Sequence, residues 1–119
     1  MSPQSTVLQW DLIRSIASST VSGTYAAVGT AFTYPVRLLK IVNNSTEDVS
    51  ISVDGANTVD YIPAGGFTLY DCGTNRGNPS PSLEIRQGTQ IFVSGTAGTG
   101  NIYVVTLYAF NSQNAETQE

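Results

Sequence analysis

The residues able to do chemistry are few in this chain. Asp48, Asp54, Asp60 and Asp71 fall within one stretch, and carboxylates of that kind can form an acid–base pair or bind calcium. Most of them sit beside turns, where Asp is favoured for backbone reasons alone. Asp54-Gly55 is sufficiently explained as a hairpin turn. Histidine is absent, which removes the commonest general base and the commonest metal ligand. The single cysteine, Cys72, can neither close an intrachain disulfide nor build a zinc cluster, and at the end of an apolar strand it reads as a buried structural thiol. Gly95-x-x-Gly98-x-Gly100 has the look of a phosphate cradle, but such a loop needs a helix after it, and strand-like residues follow. Asn43-Asn44-Ser45-Thr46 holds two overlapping glycosylation sequons and reads more simply as a turn. These residues predict no enzyme, no cofactor and no metal.

The elements that carry them are strands. Val49, Ile51 and Val53 alternate with Ser50 and Ser52, the pattern of a half-buried strand. Val36–Asn43 is apolar on both pleat faces, which predicts a strand covered on both sides or placed at a subunit contact. Pro63-Ala64-Gly65-Gly66 breaks the chain between Val59–Ile62 and the alternating run Phe67–Cys72. Shorter strands are expected at 12–20, 24–33, Leu83–Arg86 and Ile91–Ser94. Ile102–Phe110, a long apolar run without Gly or Pro, belongs in the middle of a sheet. No segment demands a long helix. The expected fold is all-β: a jelly-roll-like antiparallel sandwich of seven to nine short strands, with an immunoglobulin-like sandwich as the other choice. The domain spans 12–110. An extended or short-helical arm, 1–11, lies outside the main sheets, and a polar tail occupies 111–119.

Composition narrows the function. The chain has 119 residues, enough for one domain. Only 12% are charged, about half the usual share. A polar, weakly charged surface suits a protein packed against neighbours. The five basic residues are spread along the chain and net charge is −4, so nucleic-acid binding is not expected. The opening MSPQSTVLQWD is no signal peptide, and no run is long enough for a transmembrane helix, so no membrane partner is expected. Lone cysteine usage points to a reducing compartment. Six Tyr, four Phe and one Trp suit core and interface roles, with a sugar-binding platform as the sharper alternative.

Three segments carry a resemblance: TYAAVGTAFTYPVRLLKIVNNSTEDVSISVDG, then DYIPAGGFTLYD, then LEIRQGTQIFVSGTAGTGNIYVVTLYA. Over residues 24–109 the chain resembles small β-sandwich virion structural proteins of tailed bacteriophages. The shared features are an AVGT segment, a basic-apolar strand ending in NN, a DG hairpin, a PAG turn and a terminal Y-A strand. The resemblance implies a capsid decoration (cement) protein on the outside of the head, made in the bacterial host cytoplasm. Its implied partners are the major capsid protein and further copies of itself. A head–tail connector, collar or tail accessory subunit is the second reading. A carbohydrate- or host-receptor-binding module is the alternative of another class. Loops and ends are where a sandwich presents binding groups, so the expected contact residues are Trp10, Arg14, Arg76, Asn78, Thr96 and Thr99.

Overall fold

The structure, a computed structural model, describes residues 6–72 and 84–111. Its strands are β1 (Thr6–Trp10), β2 (Arg14–Ala17), β3 (Ala26–Ala27), β4 (Val36–Ser45), β5 (Val49–Ser52), β6 (Thr58–Ile62), β7 (Phe67–Asp71), β8 (Phe92–Gly95) and β9 (Gly100–Asn111). They form two antiparallel sheets, a β-sandwich. Sheet A runs β1-β9-β4-β7, with β2 also on β9; sheet B runs β3-β8-β5-β6.

The two long apolar runs lie at the centre of sheet A. β9 pairs with β4 along nearly its whole length, Leu38 opposite Leu107 and Asn43 opposite Ile102. Because side chains alternate across a strand, one face of this pair turns inward. Leu39, Ile41, Ile102 and Val104 are buried there against Val49 and Ile51 of β5, Ile62 of β6 and Val93 of β8. Val21, Val28, Phe32 and Ile91 complete the core from the connecting segments.

Several expectations change in the folded chain. The N-terminal segment is extended, but it is not outside the sheets: β1 pairs with Leu107–Asn111. β2 then resumes on the same strand, Arg14 opposite Val104. The expected strand at 24–33 shrinks to Ala26–Ala27, because Val28 and Phe32 are buried from a loop whose amides bond Ile91 and Thr89 singly. The Leu83–Arg86 strand is reduced, among its described residues, to a bridge between Ile85 and Val36. The expected turn at Asn43 begins later, since β4 continues through Ser45.

Asn43 explains that delay. It is fully buried, and its side-chain amide donates to Glu47 O (2.8 Å) and Ile62 O (3.0 Å). Its backbone bonds the next corner, Asn43 N to Gly66 O and Gly65 N to Asn43 O. One side chain thus ties sheet A to the end of β6 in sheet B. Gly65 sits at φ +76°, a conformation that a Cβ disfavours, so the Pro63–Gly66 corner is where the chain can cross between sheets.

Candidate protein-contact face

The core takes only one face of sheet A. On the other face the register aligns Trp10, Leu107 and Leu38 in one row, Val105, Lys40 and Leu69 in the next, and Tyr103, Val42 and Phe67 in a third. Leu107 is nearly covered, and Leu38, Val42, Tyr103 and Val105 are half-buried by their neighbours within the sheet. At the margins the cover ends: Trp10 is 71% exposed, Phe67 66% and Leu69 50%. Leu8, on the same face of β1, is also exposed. Lys40, between Val105 and Leu69, and Asp71, opposite Leu38 at the β7 end of the first row, are the charged residues of these rows. A continuous apolar sheet face rimmed by exposed aromatics is the surface type that marks protein contacts.

This resolves the doubly apolar strand. β4 is central, with β9 and β7 on either side. Its inner face is buried, and its outer face has no second layer over it among the described residues. Phe67 and Leu69 belong to the same surface. In the sequence they fall in an alternating run, Phe67–Cys72, with nothing to mark which of its faces turns outward.

The expected contact residues divide. Trp10 lies on the apolar face. Thr96 and Thr99 are exposed in the β8–β9 loop, which Thr99 N anchors by donating to the Thr46 hydroxyl (3.1 Å). Arg76 and Asn78 lie outside the described residues. Arg14 is turned inward, 7% exposed. Its Nε donates to Thr30 O at 2.7 Å, and its guanidinium reaches Ala31 O, Leu12 O, the Thr106 hydroxyl and Asp11. The group also lies 5.1 Å from the centroid of the Phe32 ring. That cation is spent holding the Gly29–Phe32 loop to β2.

The carboxylates are likewise used locally. Asp54 caps its own loop: its carboxylate accepts from the amides of Ala56 and Asn57, both at 2.8 Å, and these bonds hold it below the usual carboxylate range. Asp48 accepts from the Tyr61 hydroxyl (2.5 Å) and Ala64 N (2.8 Å), and the Tyr61 bond chiefly lowers its pKa. The Tyr70 hydroxyl on β7 donates to Asp60 on β6, which lowers the Asp60 pKa and laces the two sheets along their edge. Burial raises the Cys72 thiol, so at neutral pH it is a weak nucleophile. Among the described residues no cluster of three or more His, Cys, Asp or Glu is placed to hold a metal. Trp10 and Phe67, the exposed aromatics of this face, do not make one stacking surface. They stand three strand spacings apart across the sheet, about 14 Å at ~4.8 Å per strand, and are offset along it from the Leu38 row to the Val42 row.

No family model matches the chain. No curated protein matches it either. Among solved structures it is similar to the Dit (gp 19.1) protein of SPP1, described as a paradigm of the hub adsorption apparatus in phages infecting Gram-positive bacteria. Identity is 12% and the TM-score 0.38. The match covers 85% of this chain and 49% of that one, so the chain spans about half the neighbour's length. At that identity and score the likeness carries no functional weight.

Proposed function

We propose that this chain is a structural protein of a tailed-phage virion, and most specifically a decoration protein that binds the outside of the head. The observation that carries the reading is the apolar outer face of sheet A. Leaving Trp10, Leu69 and Phe67 in water forgoes roughly 1.5–3 kcal/mol for each large apolar side chain that a partner could bury. Such a face is useful to a protein whose work is contact. The resemblance of residues 24–109 to small virion proteins supports the same reading, as do the low charge and the local, structural use of Asp48, Asp54 and Asp60. In a symmetric shell, modest contacts repeated at every seam add up, so each copy needs little affinity of its own.

Quantitative mass spectrometry of purified particles tests the reading. A decoration protein is present at a copy number on the order of hundreds, matched to capsid symmetry, whereas a connector or tail subunit is present at about six or twelve copies. A particle without the chain refutes the virion role altogether. A glycan array separates out the carbohydrate-binding alternative, because the decoration reading requires no specific sugar.

A further inference from the structure

The edge of sheet A formed by β1 has features that the apolar face does not explain. β4 covers the other side of β9 only as far as Val36 opposite Tyr108. Beyond that point, among the described residues, the backbone of Ala109–Asn111 pairs with β1 alone. Among the described residues the end of sheet A is therefore a two-stranded ribbon, and two strands by themselves are marginal in water. A third strand along β1 would complete it.

The outward side of β1 is ready for one. Asp11 N donates to Thr106 O, so the amides of Asp11, Gln9 and Val7 turn toward β9. By alternation the backbone groups of Thr6, Leu8 and Trp10 turn outward. Natural sheets protect such edges with short strands, charges, proline or bulges. The other described edges show these devices: β3 has two residues, β6 carries Asp60 and runs into Pro63, and β7 ends in Asp71. β1, TVLQW, has five residues and no charge, proline, glycine or bulge.

We propose that β1 is a dimerisation edge, and that its partner is the β1 strand of a second copy, added antiparallel about a two-fold axis at Leu8. This register is self-complementary: Leu8 meets Leu8, and Thr6 and Trp10 exchange places. A neutral strand meets its own copy without like-charge repulsion, and no foreign complementary sequence is needed. The result joins the two β7-β4-β9-β1 paths into one continuous sheet. Leu8 and Trp10 then extend one apolar face into the other, so the contact surface of sheet A doubles in width. The inference stands apart from the virion reading, since it concerns only how two copies meet.

Sedimentation velocity of the full chain across the micromolar range tests it. The wild type sediments at twice 12.6 kDa. Leu8→Lys sets two cations face to face at the axis and weakens the dimer by at least about 100-fold, because like charges juxtaposed across an interface are strongly unfavourable. Leu8→Glu does the same. Mixing the two variants restores a dimer containing one of each. Leu8 is half exposed, so both variants keep the wild-type circular dichroism and melting profile. A monomeric wild type overturns the inference. So does a dimer that persists unchanged in Leu8→Lys, and so does failure of the mixture to pair while both variants remain folded.

Discussion

Removing the Arg14 side chain should be among the most damaging changes to this fold that leave its hydrophobic core intact. Its guanidinium is nearly buried and reaches three backbone carbonyls, one hydroxyl and one carboxylate. In Arg14→Ala the bond to Thr30 O, the short one at 2.7 Å, is lost outright. The others, at 3.3–3.4 Å, are long and count for less. A bond from a charged donor contributes ~1.5–3 kcal/mol, and the contact with the Phe32 ring adds ~0.5–1 kcal/mol. The expected cost is therefore about 3 kcal/mol, which for a domain of this size lowers Tm by roughly 10–15 °C. Differential scanning calorimetry reads the shift. Arg14→Lys keeps the charge but cannot reproduce the planar fork, and should recover less than half of the loss. Gly29 supplies a cross-check. It lies at φ +65°, and a Cβ built there would stand 2.8 Å from the Arg14 Cβ. Gly29→Ala should thus destabilise both by backbone strain and by collision with the Arg14 stem, and the two substitutions should couple in a double-mutant cycle. A Tm drop under about 3 °C for Arg14→Ala would show that the buried cation is not what holds the loop.

Further outcomes follow from the same contacts. Asn43→Leu leaves the carbonyls of Glu47 and Ile62 without their donor and should cost about 2–3 kcal/mol in chemical denaturation. Gly100→Ala forces a Cβ onto the Asn44 carbonyl oxygen at φ +94° and should destabilise by more than ~1 kcal/mol, read as a lower denaturation midpoint. Hydrogen bonds hold the folded pKa values of Asp48, Asp54 and Asp60 below the usual carboxylate value of about 3.9. Their stabilisation is thus fully present above that value and is lost as pH falls through the lowered ones. Thermal melts should be flat from neutral pH down to about 5 and fall steeply below 4, with a shallower fall in Asp54→Asn. Cys72 should react with iodoacetamide at neutral pH more slowly than a free cysteine, because burial and neighbouring Asp71 both disfavour the thiolate.

The strands that were legible in the sequence are those whose pattern is set by one-sided burial. β5 shows its alternation openly, and Asp54-Gly55 marks its turn, with Gly55 at φ +79°. The long run in β9 is central, as its lack of breaks implies. What failed was legibility where tertiary contacts decide. Val28 and Phe32 look like strand residues, yet they enter the core from a loop pinned by Arg14, which is 16 residues from Thr30 and 92 from the β9 hydroxyl of Thr106 that it also reaches. Asn43 has the composition of a turn residue, but its amide is satisfied inside the sandwich, so β4 runs past it. Arg14 itself reads as an exposed contact residue, since a lone Arg in a Ser-rich stretch gives no sign of carbonyls waiting elsewhere in the chain. The apolar outer face of sheet A was half legible: the two apolar faces of Val36–Val42 signal it, and Trp10, an expected contact residue, lies on it. Phe67 and Leu69 could not be assigned to it without the β4–β7 register.

The most direct measurement is a cryo-electron microscopy map of the particle proposed to carry this chain. The proposed decoration role predicts sandwiches repeated over the outside of the head by the capsid's symmetry, with Trp10, Leu69 and Phe67 covered by a neighbouring protein. A particle with no copies on the head, or copies whose sheet A outer face points into solvent, would contradict it.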